Sequence, residues 1–376
     1  MKERVPNPKT LSPAYVGFGM LTPVYVMSLD NLPKHNTGAI VHQVSEFVYD
    51  DAAIIACVLR QWDVPAGMIG TSVGDDMLGH AVARKLKDWG VMGKVRFTKK
   101  YKTPIEVNVS DKKGARTYFW QRSPEILSTL DSADLSLIKR SKLLYVDWYD
   151  GDHIIRAMDQ ANRANVPVFL NLEHGHKDPE ILKKYASRAT ICQAVTDDAQ
   201  IGKKQAMLSV AKKLFKAGIK TAIITMASQG CLVVQGDKIV RVYAPRVKAM
   251  DGSGAGATFS SGFIYGYLKG WSLEESVCFA IAAASLKVTH LGLEMFPVKE
   301  IKELAGKLRV QHMIYRDDRF HTIRKFLRLP QEDQFAKNPF VKEGRKLAKE
   351  GRDFAEKLMI KKKPQQRRKI KKSLVE

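Results

Sequence analysis

The sequence predicts an α/β fold, with a mainly parallel sheet, helices on both of its faces and a small projecting β lid. Between residues 15 and 310, short β-branched apolar runs alternate with longer amphipathic segments, as in sheets whose crossovers are helices. That rhythm breaks at 25–47 and again at 105–121, where Ile105, Val107 and Val109, then Thr117 and Phe119, alternate about a turn at 111–114. A glycine-rich stretch at 251–263 follows a strand expected to end near Val247 and opens a helix.

The length of 376 residues suits two domains or one large α/β domain with an appendage. With 45% apolar and 27% charged residues, the chain is neither wholly disordered nor collagen-like nor a disulfide framework. The first uncharged stretch, 14–29, contains Gly17, Gly19, Thr22, Pro23 and Ser28 and lacks a small-residue cleavage site. It reads as a buried strand running through Tyr25, Val26 and Met27 into a turn at 30–33, and no membrane span is expected. Further strands are expected at 68–69, 143–146, 166–171, 190–192 and 222–225, and helices at 77–89, 152–165, 200–217, 256–269 and 276–288. After Asp318 the strand pattern stops. Residues 320–329 are basic and amphipathic, Pro330 interrupts them, and a helix is expected over 341–360 with Leu347, Phe354 and Leu358 roughly on one side. The expected organisation is a folded domain over 13–318, with its lid drawn from 25–47 and 105–121, and a basic extension over 319–376.

Cys57, Cys192, Cys231 and Cys278 lie far apart, which suits neither a zinc site nor a disulfide framework and points to a reducing, cytoplasmic setting. The net charge of +23 is uneven, with 18 basic and 7 acidic residues between 320 and 376. Lys361, Lys362, Lys363, Arg367, Arg368, Lys369, Lys371 and Lys372 form a run with no acid before Glu376. A solvated tail of this kind neutralises phosphates, so RNA, DNA or a ribonucleoprotein is one partner class, an acidic protein another, and simple solubilisation a third reading.

The stretch 251–263 carries the chemistry. Gly252, Gly254, Ala255 and Gly256 let backbone N–H groups approach an anion, and the positive end of the following helix favours negative charge. An anion hole at Gly254, Ala255, Gly256 and Ala257 and a tight turn that merely needs glycine are both open readings of these residues alone.

Here the chain resembles the ribokinase (PfkB) family of carbohydrate and nucleoside kinases, whose late signature is Asp-Thr-x-Gly-Ala-Gly-Asp. Four further landmarks occur in the family's order. Gly70-x-x-Val73-Gly74-x-Asp76-x-x-Gly79 with Trp89-Gly90-Val91 is similar to the early motif, and Gly114-Ala115-Arg116-Thr117 to the lid hairpin. Thr225 to Gly230 is similar to the nucleotide turn, and Thr289-His290-Leu291-Gly292 to the far edge of the nucleotide site. The resemblance implies a three-layer α/β/α ribokinase-like fold, ATP with Mg²⁺, and transfer of the γ-phosphoryl group to a hydroxymethyl group. It makes Gly114 and Arg116 lid residues over the substrate, makes Thr225, Gly230 and Gly292 nucleotide-binding, and implies pairing of two copies through their lids.

The chain departs from that family at the chemical positions. Ala257 stands where the general-base Asp belongs, and a methyl group accepts no proton. Val24 occupies the place of a sugar-binding Asp, and Tyr49-Asp50-Asp51-Ala52-Ala53-Ile54 replaces Gly-Gly-x-x-x-Asn. Cys192-Gln193-Ala194-Val195-Thr196-Asp197-Asp198 recovers the Asn-x-x-Glu region only with an offset, which leaves the metal ligands unknown, and Ala227 replaces a glycine of the nucleotide turn. Loss of a base costs about 10²- to 10⁴-fold, and loss of acceptor positioning about 7–11 kcal/mol. Two expectations follow: a nucleotide-binding, pseudokinase-like scaffold or regulatory module, or an active kinase of an atypical acceptor whose base has moved to Asp251, Asp50, Asp51 or Glu173. The second is open because Asp251 also reads as a structural turn carboxylate and Asp50 and Asp51 as a solvated helix N-terminus.

Overall fold

The computed structural model describes residues 12–112, 116–196, 204–316 and 319–323. The chain divides into two units, Met1–Lys325 and Phe326–Glu376. The second unit, with the basic run 361–372 and the helix expected at 341–360, lies outside the described residues, as do Gly114, Asp197 and Asp198.

The chain opens with β1 (Tyr15–Gly19), β2 (Thr22–Ser28), β3 (Gln43–Tyr49), α1 (Asp51–Gln61), β4 (Ala66–Gly70), β5 (Ser72–Gly74) and α2 (Met77–Asp88). It continues through β6 (Arg96–Thr98), β7 (Ile105–Ser110), β8 (Arg116–Gln121), α3 (Glu125–Ser128), β9 (Leu143–Asp147), α4 (His153–Arg163), β10 (Val168–Glu173) and α5 (Pro179–Tyr185). Next come β11 (Ile191–Val195), α6 (Lys204–Lys216), β12 (Thr221–Thr225), β13 (Cys231–Gln235) and β14 (Lys238–Val242). The last elements are α7 (Ala255–Leu268), α8 (Leu273–Lys287), α9 (Val298–Ala305), β15 (Val310–Arg316) and β16 (Arg319–Ile323).

Ten strands form one sheet in the order β16-β15-β14-β13-β12-β11-β10-β9-β1-β4. From β4 to β12 every pairing is parallel, and from β12 to β16 every pairing is antiparallel. The uncharged stretch 14–29 is two strands rather than one: β1 lies in the centre of the sheet, and the chain turns at Met20 and Leu21 into β2 of the lid. The lid is a four-stranded sheet, β3-β2-β7-β8, and its β7–β8 hairpin pairs Ile105 with Gln121 through Ser110 with Arg116.

Two expectations are corrected. Strands do not stop at Asp318, because Arg319–Ile323 pairs antiparallel with β15; this strand is only five residues long and lies at the edge of the sheet, so it shows little of the apolar alternation that marks a buried strand. The strand before the glycine-rich stretch ends at Val242, not near Val247, and 244–249 run without regular structure.

Two hydrophobic layers sandwich the sheet, one beneath α1, α7 and α8 and the other beneath α4 and α6. Helices α7 and α8 cross closely because both present small residues. A Cβ on Gly262 would stand 2.6 Å from Ala280 Cα, and one on Gly266 2.5 Å from Ser276 Oγ. Ser272 and Glu275 form a capping box that starts α8 three residues before the apolar period becomes visible.

The early Gly-rich motif is a structural joint. Asp76 caps α2: its Oδ1 accepts from Gly79 N at 2.9 Å and Thr103 Oγ1 at 2.7 Å, and its Oδ2 accepts from Thr103 N at 2.8 Å. Gly74 N donates back to Thr103 Oγ1, and a Cβ on Gly79 would run into Gly74 O. The joint therefore pins the chain immediately before lid strand β7.

Candidate functional site

The parallel strands β1, β9, β10, β11 and β12 all end on one edge of the sheet, the edge at which open α/β sheets bind ligands. The stretch 251–257 lies in front of α7. Gly254 takes a left-handed conformation (φ 71°) as the N-cap and offers no side chain to the helix, so the N–H groups of Gly256 and Ala257 have no backbone acceptor among the described residues. A Cβ on Gly256 would meet nothing within 4 Å, which makes it the open side of the cradle. These N–H groups and the helix dipole fit a phosphate.

Asp251 is a structural carboxylate. Its Oδ1 accepts from Ser110 Oγ and from Ser253 N, both at 2.9 Å, and its Oδ2 accepts from Lys287 Nζ at 2.9 Å and Gly292 N at 3.0 Å. Burial alone would raise its pKa, but the charge and hydrogen bonds of Lys287, with the Ser253 N–H, hold the carboxyl below the usual range. It is the wrong group for a base. Gly292 serves the same knot: its φ of 70° and the place its Cβ would take, filled by Ser45 Oγ of β3, require glycine there.

A second group of acids collects beside the cradle. Asp50 caps α1 by accepting from Asp51 N at 2.6 Å. Asp147 ends β9, with Oδ1 accepting from Asn171 Nδ2 at 2.9 Å and Oδ2 from Tyr145 Oη at 3.1 Å. Asp150 follows in the next turn, close under Gly19, whose Cβ would stand 2.6 Å from Asp150 Oδ2. Glu173 ends β10 at a shift in the ladder with β11, in an uncommon backbone conformation (φ 41°), and accepts from the Tyr149 hydroxyl. Glu106 enters from lid strand β7 and pairs with Arg122 at 3.5 Å.

These carboxylates perturb one another. Burial pushes Asp50 up to about 6, against the downward pull of the Asp51 N–H and Arg122. Burial first and neighbouring carboxylates second raise Asp51, Asp147 and Asp150 well above the ordinary carboxylate range. Burial also raises Glu106, with Arg122 opposing. Asp51 and Glu173 are thus neighbours at one sheet edge, and α1 reaches the cradle through Ile54, whose Cδ1 lies 3.5 Å from the place of a Cβ on Gly254.

Arg116 joins the two halves. It donates to Gly252 O at 3.0 Å, lies 5.2 Å from the centroid of Tyr118, and pulls down the pKa of Asp51. Val24 is fully buried and pairs across the lid ladder with Glu106, which puts a carboxylate on the same face of the lid as Val24. Ala257 is fully buried in the layer between α1 and α7. Gln193, in the stretch offset from Asn-x-x-Glu, accepts from Ser260 Oγ at 2.9 Å and ties α7 to β11.

The 225–230 turn ends β12. The Thr225 hydroxyl donates to Ala194 O at 3.3 Å, Ala227 has φ 42°, and Gly230 has φ 83° with its Cβ position blocked by backbone. Buried Arg241 holds the turn from below through Gln229 O at 2.6 Å and Cys231 O at 2.9 Å.

The sequence did not single out Asp147, Asp150, Glu106, Arg122 or Lys287. The acids at 147 and 150 end or follow an apolar run at a strand's carboxyl end, which is a usable signal. Glu106 and Lys287 become visible only through strand pairing and helix packing.

Solved structures share this architecture. Arabidopsis thaliana ribokinase complexed with ribose and ATP superposes with a TM-score of 0.63 over 78% of this chain and 99% of that one, at 20% identity. A putative ribokinase from Agrobacterium tumefaciens gives 0.70 over 78% and 98%, at 17% identity. In sequence, an ATP-dependent 6-phosphofructokinase from Thermoanaerobacterium thermosaccharolyticum is 25% identical over 239 residues, 60% of this chain and 74% of that protein. Arabidopsis ribokinase is 28% identical over 190 residues, 48% of each chain. Residues 36–299, the span from the lid to the first residues of α9, match the family model of the pfkB carbohydrate kinases, and the chain belongs to that family.

Proposed function

We propose that this pfkB-family chain binds a nucleotide at the 254–257 cradle but is impaired in phosphoryl transfer to ordinary neutral sugars, and that it serves as a scaffold or nucleotide-responsive module. One observation carries the reading: the base position holds the buried methyl of Ala257, while the nearest cradle carboxylate, Asp251, is consumed by Lys287, Ser110, Ser253 and Gly292. ATP is the nucleotide that the family suggests. Mg²⁺ bound with phosphates needs one or two carboxylates from the protein, and Glu173, at the carboxyl end of β10, is of the right type.

A second reading keeps catalysis. Asp50, raised to about 6, and Asp51 lie at the end of a helix that touches the cradle, and a carboxylate poised near neutrality is suited to act as a general base. Turnover separates the two. The nuclease-treated full chain, assayed for ADP release with Mg-ATP and a panel of neutral sugars and nucleosides, should bind ATP without acceptor-dependent turnover. Rates of about 1–100 s⁻¹, usual for kinases, would overturn the first reading and support the second.

Two partner proposals accompany this function. The basic run 361–372 supplies a polyanion-binding tail with RNA or DNA as its target. The outer lid face, where Phe119 and Val44 are exposed, supplies an apolar surface for pairing two copies. Among the described residues no helix is long and apolar enough to cross a membrane, and the four cysteines are buried and free, which supports a cytoplasmic setting.

A further inference from the structure

We propose that the cleft between α2, residues 90–97 and the end of β4 binds a small amphipathic anion, a molecule with an unbranched aliphatic body and one carboxylate or phosphate head. The cleft shares no lining residue with the 254–257 cradle, so the proposal stands apart from any reading of phosphoryl transfer.

Its size and lining suit an apolar body. The cleft has a volume of about 380 Å³, and small-ligand sites run from about 300 to 1,000 Å³. Leu21, Met68, Leu86, Val91, Met92 and Val95 line it. The first three are buried and the last three half-buried, so the cleft grades from a closed floor to an open mouth, where Phe97 remains 41% exposed.

Its walls are held by bonds that owe nothing to a ligand. Met92 N donates to Ala66 O at 2.9 Å, and Met92 O accepts from Met68 N at 2.8 Å, which stitches the loop to β4. Gly93, at φ 124°, lies so close that a Cβ there would stand 2.2 Å from Met68 O. Arg96 ties the other side by donating to Gly70 O at 3.0 Å and Thr129 O at 2.7 Å, and Phe97 stacks on His80 with ring centroids 4.6 Å apart. With both walls pinned in this way, the loop does not settle inward, and the apolar lining stays wet until a ligand covers it.

The charge selects the head group. The lining includes Lys87 and Lys94 and no acid. Both lysines are exposed, and among the described residues neither side chain has an ion pair or a hydrogen bond. Lys85, on the same helix, is already committed to Glu46 O at 2.8 Å. An anionic head would satisfy the two free ammonium groups while its body covers the lining, whereas an ammonium head would meet two like charges. The chain's own basic segment is a poor occupant for the same reason, with 18 basic and 7 acidic residues between 320 and 376.

The test is calorimetric titration of the nuclease-treated full chain with octanoate and with octyl phosphate, against octanol, octylamine and butyrate, all below their micellar concentrations. At least one octyl anion should bind severalfold more tightly than octanol and octylamine, and the preference between the two anions tells carboxylate from phosphate. Octanoate should exceed butyrate by about tenfold or more, since each buried methylene is worth about fourfold. Lys87→Gln combined with Lys94→Gln should weaken the anion severalfold, the scale of exposed ion pairs, and leave octanol unchanged. Lys99→Gln combined with Lys100→Gln removes the same charge from exposed positions outside the cleft and should change neither. Ala83→Phe, which adds a ring to the lining from α2, should abolish binding; should it fail to fold by thermal melting, the lysine variants carry the comparison. Absence of binding by both octyl anions, affinities no greater than that of octanol, binding unchanged in folded Ala83→Phe, or equal losses in the two lysine pairs would each overturn the proposal, the last by showing attraction to the basic surface at large.

Discussion

Lys287 Nζ lies 2.9 Å from Asp251 Oδ2 and 3.0 Å from Asp251 O, with both side chains wholly removed from solvent. This pair anchors α8 to the turn that precedes α7. Through Ser110 it also reaches the lid. Removing the ammonium leaves a buried carboxylate without its counter-charge, so Lys287→Met should cost about 3–5 kcal/mol. The double variant with Asp251→Asn should recover part of that loss, because the amide can retain some of the bonds to Ser110, Ser253 and Gly292. Urea denaturation of the wild type, the single variant and the double variant measures both effects, and a loss under 1 kcal/mol in the single variant would contradict the assignment.

The acid cluster sets a pH dependence. Asp50 is raised to about 6, and Asp51, Asp147 and Asp150 are raised further by burial and mutual repulsion, so the folded chain holds more protons than the unfolded one between pH of about 4 and the folded values. Their contribution is therefore complete below the unfolded carboxyl pKa and is lost as the pH rises through the folded values. The melting temperature should fall from pH 5 to pH 8, and Asp150→Asn should flatten that slope. An unchanged slope in the variant would remove the cluster as its cause.

Ala257→Asp restores the base that the family signature carries. On the reading proposed above, in which Val24 and residues 49–54 also depart from the sugar-binding pattern, it should not restore turnover on a neutral sugar. A coupled assay that found kinase rates in this variant would show that the base alone had been lost.

Ala227 holds a left-handed conformation in the turn after β12, where an alanine pays a steric penalty of about 1 kcal/mol that glycine avoids. Ala227→Gly should stabilise the turn by a similar amount and tighten ATP binding. Weaker ATP binding in a variant that melts no lower would place the nucleotide elsewhere.

Deletion of residues 361–376 should flatten the dependence of RNA or DNA affinity on salt, because fewer phosphate contacts release fewer counterions. An unchanged slope in filter binding would take the tail out of nucleic-acid recognition.

Much of the frame was legible in the sequence. The helices over Met77–Asp88, Ala255–Leu268 and Leu273–Lys287 follow from apolar period, and the Ile105–Gln121 hairpin from its alternation and turn. The strand at Arg319–Ile323 was hidden because it is short and lies at the sheet edge, where little apolar alternation is needed. Within the site, Asp50, Asp51 and Glu173 could be named because they sit at expected places, but their association with Asp147 and Asp150 depends on which strands are neighbours. Glu106 opposite Val24 required the pairing of β2 with β7. Lys287 reads in sequence as an ordinary last-turn lysine of a helix; only the packing of α8 against the cradle turns it inward.

The joint at Asp76 bears on how motifs are used. Gly74, Asp76, Gly79 and Thr103 satisfy one another completely, and none of those bonds depends on a ligand. Substitution there would unfasten the lid from the body, whereas substitution at Ala257 or Val24 leaves the scaffold standing. Signatures of this family are therefore of two kinds, one recording how the chain is built and the other what it converts, and a protein can keep the first after its chemistry has been rewritten.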